Sequence, residues 1–179
     1  MILSDVDLKE AIKNKRLVLT PFSEDTVREN GIDLRLADEI AHHDGASSDF
    51  VLDPADESSI NKCYSIEKGV GTMVLKAGEH VLLSTYEYME MPDDLVGFVE
   101  LRSTWARHGL SLPPTIIDAG FKGTVTLAVS NNASYGIALK PRQRFAHIVF
   151  VKTSSKVNKP YAGGYSEQRG ISIPKAVKG

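Results

Sequence analysis

Two clusters of reactive side chains stand close together in the sequence. The first is Arg102-Ser103-Thr104-Trp105-Ala106-Arg107; the second is Asp118, just ahead of the turn Ala119-Gly120-Phe121-Lys122-Gly123. Guanidinium forks, hydroxyls and free backbone N–H groups suit phosphate oxygens. A carboxylate beside them suits a base that activates water. Only a short connection separates the clusters, so the fold is expected to bring them together.

The elements around them must do the positioning. Leu95 to Leu101 reads as a strand running into Arg102. Ser103 is expected to cap a short helix that Gly109 ends, offering N–H groups to an anion. Trp105 is expected to anchor that helix in the core. Pro113-Pro114 forces an extended entry into Thr115-Ile116-Ile117, which leaves Asp118 at a strand end within reach of a cleft. The strand from Thr124 to Ser130 alternates: Val125, Leu127 and Val129 face the core, and Thr124, Thr126, Ala128 and Ser130 face the other way. Ala128 is a small apolar residue on an otherwise polar row.

Elsewhere the chain is strand-dense. Ser4 is expected to cap a helix from Asp5 to Asn14, with Asp5 and Asp7 in its first turn. Ile32, Leu34 and Leu36 alternate with Asp33, Arg35 and Ala37, a half-buried strand whose Asp33–Arg35 pair reads as a surface ion pair. Residues 42–62 read as a polar excursion with one short strand at Phe50-Val51-Leu52. His42-His43-Asp44, within it, is expected to be solvated rather than metal-bound. Short strands between Gly, Pro and Asp turns predict a mostly β fold, an antiparallel sandwich or barrel. One domain, 1–179, is expected: a core over 1–151 and a C-terminal arm over 152–179. The arm carries Tyr161, Tyr165, Gln168 and Arg169 among glycines, and on sequence it is either a closing lid or a disordered tail.

Composition bounds the partners. The 179 residues are 42% hydrophobic and 25% charged, with a net charge of -2. There is no basic field for a nucleic-acid polymer. The single Cys63 can form neither an internal disulfide nor a thiolate metal site alone. No apolar run reaches the roughly 18 residues of a membrane helix, and the charged start is unlike a signal sequence, so a cytoplasmic location is expected.

Several ordered motifs carry a resemblance over nearly the whole chain. They are Met1-Ile2-Leu3-Ser4-Asp5, Asn30-Gly31-Ile32-Asp33-Leu34-Arg35, Arg102 to Arg107, Ile117 to Gly123, Arg144 to Phe150 and Tyr165 to Gly170. In these the chain resembles the dUTPase and dCTP deaminase superfamily, most closely its archaeal branch. The resemblance implies a distorted β-barrel of jelly-roll type and a homotrimer with sites shared between subunits. It also implies an arm that orders over the nucleotide, and Mg²⁺ carried on the triphosphate. No side chain would bind that ion directly, with Asp33 supporting its hydration shell through water. Arg102, Ser103, Thr104 and Arg107 would hold the phosphates, within a substrate-binding segment that includes Trp105 and Ala106. Asp118 would stand near the deoxyribose and the catalytic water. Thr126, Leu127 and Ala128 would line the pyrimidine pocket, with Tyr161 and Gln168 contacting nucleotide from the arm. Gly164 stands where the deaminase pattern has a lysine.

Ala128 decides between activities. In dCTP deaminases the resemblance places a proton-shuttling glutamate there, and an alanine methyl cannot move a proton. The expected activity is therefore hydrolysis of dUTP to dUMP and pyrophosphate, with Asp118 as base. The alternative is a dCTP deaminase, dUTP-forming or bifunctional and dUMP-forming, with Ala128 in the glutamate's place.

Overall fold

A computed structural model describes residues 1–43 and 49–177. The chain starts with α1 (Asp5–Lys13), then β1 (Val18–Thr20), β2 (Val27–Arg28) and the long β3 (Gly31–His43). Next come α2 (Glu57–Asn61), β4 (Tyr64–Lys68), β5 (Met73–Leu75), β6 (His80–Thr85), β7 (Tyr88–Glu90) and β8 (Leu95–Leu101). After α3 (Ser103–Arg107) follow β9 (Leu110–Ser111), β10 (Thr115–Ile117), β11 (Lys122–Gly123), β12 (Thr126–Asn131), β13 (Ile137–Leu139) and β14 (Arg144–Lys152).

The capping expected at Ser4 is present in full. Its hydroxyl accepts from Asp7 N–H while the Asp7 side chain accepts from Ser4 N–H, a reciprocal box that satisfies two otherwise orphaned donors. Leu8 and Ala11 bury the inner face of α1.

The main sheet runs β10-β8-β14-β3-β6-β12-β9, every pair antiparallel, and it curls into the mostly β, half-barrel, jelly-roll-like form expected. β3 is its spine. The first half of β3 pairs with β14 and β2, and the second half with β6 and β4. A register shift between Leu36 and Ile40 marks the bulge where the strand passes from one half to the other. Ile32, Leu34 and Leu36 are fully buried as the alternation predicts, against Phe145, Ile148 and Phe150 of β14. No helix among the described residues is long and apolar enough to cross a membrane.

Three expectations change. Asp33 and Arg35 do not form a surface pair. Asp33 is 2% exposed and faces His147, and Arg35 donates from Nε to Glu87 Oε1 at 2.6 Å. Parity fixed which residues share a face, but it could not reveal that the polar face is covered too. Phe50-Val51-Leu52 is not a strand; α2 follows instead, its N-terminus capped by Asp56 accepting from Ser58 N–H at 3.0 Å. His42 and His43 point to opposite faces of β3. His42 bonds Glu79 at 2.8 Å, and the His43 ring packs on Tyr64 and His80. Burial, with the nearby His80 charge second, pushes the His43 imidazole below the ordinary histidine value. Asp44 lies outside the described residues.

Asn131 ties the far end of the barrel. It is fully buried, and its amide nitrogen reaches the carbonyls of Leu75, Lys76 and Tyr135 at 3.0, 3.0 and 2.8 Å. Its carbonyl accepts from Ala133 N–H. Truncation would orphan several buried groups at once. Asn131→Ala is expected to lose about 3 kcal/mol in urea unfolding, whereas the exposed Asn132→Ala should stay within about 0.5 kcal/mol of the parent.

Candidate active site

One half of the site is an apolar pocket of about 300 Å³ floored by Leu82, Phe121 and Val125 and walled by Ile116 and Ile117. Its polar groups are few: Asp118, Thr126, Gln168 and Ser172, with Tyr161 and Tyr165 at the rim. Asp118 stands exposed at the end of β10, as its place after Thr115-Ile116-Ile117 predicts. The following turn needs Gly120, which sits at φ +86°; a Cβ there would come within 2.5 Å of Pro160 Cβ. On β12, Thr126 and Ala128 share the half-buried outer row, and Ala128 lies directly across from Leu82. Leu127 is 1% exposed and points into the core, so it can offer a ligand only backbone.

The arm is laid against its own chain and completes this pocket. Tyr161 N–H donates to Ala119 O at 2.8 Å, and the ring of Tyr161 packs on Phe121. Gln168 bridges Gly123 in parallel register, and its Nε2 donates to Thr124 O at 2.6 Å. Ser172 N–H donates to Thr126 Oγ1 at 3.0 Å. The arm is thus packed in place on its own chain rather than left as a loose tail. Tyr165 lines the pocket with Tyr161 and Gln168, and the arm also brings Ser172 and Pro174, which sequence reasoning missed. Lys175 Nζ donates to the carbonyl of Gly164, so an ammonium stands beside the glycine that replaces the patterned lysine. Nothing in the sequence between them signals that contact.

The other half lies where β8 meets α3. A pocket of about 290 Å³ is lined by Asp33, Glu100, Leu101, Arg102, Ser103, Thr104 and His147. Arg102, not Ser103, occupies the cap position of the five-residue α3, and no side chain caps it. Ser103, Thr104, Ala106 and Arg107 are exposed. The Arg102 guanidinium is held from behind, with Nε 3.4 Å from Asp33 Oδ2 and Nη1 donating to Arg144 O at 3.3 Å. Trp105 donates to the same carbonyl at 2.8 Å and stacks against Phe145, the anchoring role expected of it. The Arg144 side chain is engaged by Asp25, whose carboxyl is held below the usual range by the Ser23 hydroxyl first and Arg144 next. Asp33 Oδ1 faces His147 Nδ1 at 3.0 Å. Arg102 and Arg28 supply the cations at Asp33 Oδ2. Among the described residues, no group of three or more His, Cys, Asp or Glu is placed to hold a metal ion.

The two halves do not meet within one chain, contrary to expectation. Ile117 pairs with Gly97 near the start of β8, and Arg102 follows its last residue. Five residues at a strand's rise put about 17 Å between those positions. A short connection in sequence spans a full strand in space. Between the halves the outer face is apolar: Ile116, Phe98 and Val149 stand in one cross-strand row, with Ile116 58% and Phe98 40% exposed.

The fold is thus a mostly β jelly-roll with an arginine, serine and threonine segment at one end of β8 and a carboxylate pocket at the other, groups suited to a phosphorylated ligand. The family model described as "dCTP deaminase-like" matches residues 2–153, and the chain belongs to that family. It is 44% identical to a dCTP deaminase of Staphylothermus marinus, over 98% of this chain and 99% of that protein. It is 47% identical to one of Desulfurococcus amylolyticus, over 98% and 95%. A protein of Sulfolobus islandicus rod-shaped virus 1 named "Probable deoxyuridine 5'-triphosphate nucleotidohydrolase" is 42% identical over 98% and 99%. In three dimensions the chain is similar to the 2'-deoxycytidine 5'-triphosphate deaminase of Agrobacterium tumefaciens. The TM-score is 0.65 at 19% identity over 83% of this chain, which spans 46% of that one. At that identity the likeness shows the fold. Among the relatives, names favour the deaminase alternative over the diphosphatase expectation.

Gly120→Ala is expected to cost about 1–3 kcal/mol through its left-handed backbone. Its Cβ should also displace Pro160 and loosen the arm, so trypsin should cut after Arg169 in the variant sooner than in the parent.

Proposed function

We propose that the chain hydrolyses dUTP to dUMP and pyrophosphate at sites completed between neighbouring copies of a homotrimer. Ala128 carries the choice of reaction. Ala128 shares its row of β12 with Thr126, which lines the pocket, and pairs with Leu82 of the pocket; it stands just beyond the lining with a methyl where the deaminase pattern has a proton carrier. Hydrolysis at phosphorus needs no group there. Asp118 takes a proton from water as its oxygen bonds to the α-phosphorus, the bond to the bridging oxygen breaks, and pyrophosphate leaves. Arg102, Ser103, Thr104 and Arg107 of a second copy hold the phosphate chain, while the apolar pocket and the arm hold the nucleoside. Mg²⁺ arriving on the phosphates would neutralise part of their charge.

The 17 Å gap supports shared sites, because one copy cannot apply both halves to one nucleotide. The exposed Ile116–Phe98–Val149 row between them is the apolar surface a second copy would cover.

A second reading, deamination of dCTP, is the one most of the relatives' names favour. It requires a proton carrier other than residue 128. A parallel assay with dUTP and dCTP in Mg²⁺ separates the two. Pyrophosphate and dUMP from dUTP, without ammonia from dCTP, is the expected outcome, and ammonia from dCTP overturns it. Ala128→Glu is then the variant that should gain ammonia release if the deaminase alternative holds.

Asp118→Asn should lose at least about a hundredfold in kcat while still binding nucleotide. Mixing equal amounts of unfolded Arg102→Ala and Asp118→Asn chains and refolding them should restore about a quarter of the parental rate, the chance that neighbouring copies supply the two intact halves. No recovery would rule out sites shared between copies.

A further inference from the structure

The pocket at the α3 end holds one group whose role the reaction above leaves unassigned. His147 on β14 stands in register between Asp33 on β3 and Glu100 on β8, so one row across three strands reads carboxylate, imidazole, carboxylate. Its Nδ1 faces Asp33 Oδ1 at 3.0 Å, and its side chain keeps 23% exposure. The far edge of the ring lies over Gly31, where any Cβ would come within 2.4 Å of Nε2, so the ring stands where only glycine lets it. Asp33 is 2% exposed, and its Oδ2 has no hydrogen-bond partner. Two guanidinium groups, Arg102 Nε at 3.4 Å and Arg28 Nε at 4.0 Å, compensate its charge as ion pairs without hydrogen-bond geometry.

The charges facing His147 balance without it. Asp33 and Glu100 are negative; Arg102 and Arg28 are positive. Arg144, on the same strand, is engaged by Asp25. A phosphate chain entering beside Ser103 and Thr104 brings several negative charges into this balanced pocket. Histidine is the side chain that changes charge near neutral pH. We infer that His147 is a proton-controlled cation of this pocket, and that the phosphate chain binds there together with one proton on the imidazole. Asp33 fixes the ring by its Nδ1 edge. The inference rests on reading this pocket as the phosphate half of the site, and on neither choice of base.

The sign follows from linkage. The protonated form binds the anion, so affinity is greatest at low pH and falls as pH rises through the imidazole's titration, by up to about tenfold per pH unit for one proton.

The test uses the full-length protein and inorganic pyrophosphate, with Mg²⁺ chelated. Titration calorimetry in buffers of different ionisation enthalpy counts the protons taken up. Pyrophosphate's own titration is common to both proteins, so the difference between the parent and His147→Gln isolates the imidazole. The expected result is up to one extra proton taken up by the parent, and a steeper loss of its affinity with rising pH. Equal proton uptake and parallel pH profiles would overturn the role of His147 while leaving the anion pocket in place. No pyrophosphate binding by either protein would remove the pocket's reading as a phosphate site, and the inference with it. Glu100→Gln, at an exposed position, is the companion should His147→Gln not fold. Losing that carboxylate makes the imidazolium less favourable, so the break in the affinity profile should move to lower pH. An unmoved profile would count against the inference.

Discussion

A hydrogen-bonded strand has a fixed rise, and β8 spends nearly its whole length between the two halves of the site. Its neighbours β10 and β14 lock it on both edges, and its inner residues Leu95, Gly97 and Val99 face the core. Neither Asp118 nor Arg102 can travel along it without breaking the ladder. The polypeptide therefore completes its hydrophobic core within one copy while keeping Asp118 and Arg102 apart. The outer surface of the same strands, with Phe98 and Ile116 bare, gives association the apolar area it needs. One element thus sets the spacing of the reacting groups and the surface that can bring them together.

The two halves are held by different forces. Around Asp33, charged groups taken out of water are positioned by one another, an arrangement valuable for geometry more than for stability. Arg102 gains from it: two of its nitrogens are committed behind it, so its long side chain has little left to lose in entropy when an anion arrives. Around Asp118, by contrast, the pocket is lined by Leu82, Ile117, Phe121 and Val125 and closed by main-chain hydrogen bonds from the arm to Ala119, Lys122 and Thr124.

Local pattern made much of this legible. The Ser4 cap, the alternation of Ile32-Leu34-Leu36 and the two faces of β12 from Thr126 onward follow from periods of 3.6 and 2; Thr124, expected on the outer row, lies before the strand and is buried, its hydroxyl donating to Gly170 O of the arm. Asp118 at a strand end was readable because Pro113-Pro114 leaves the chain no other conformation. What was not legible is what depends on partners remote in sequence. Asp33 looked solvated because nothing in residues 31–37 announces that His147 lies opposite it. The separation of Arg102 from Asp118 was hidden because chain distance says nothing of strand direction. α2 was missed although Asp56 followed by Glu57 and Ser58 is a helix-start signal, outweighed by the polar composition around it.

The pairing of β3 with β14 has a consequence in time. Ile32 lies beside Ile148, and these partners leave a ribosome far apart. At roughly 5–20 residues per second, β3 waits on the order of ten seconds for the strand that covers it. During that interval its apolar residues Ile32, Leu34 and Leu36 have no β14 to bury them, and an open edge can recruit another nascent chain. Early partners reduce the exposure. β2 pairs with the start of β3 as soon as both exist, and β4 and β6 cover its far half well before synthesis ends. The order of strands along the gene thus limits how long the spine of the barrel stands unprotected.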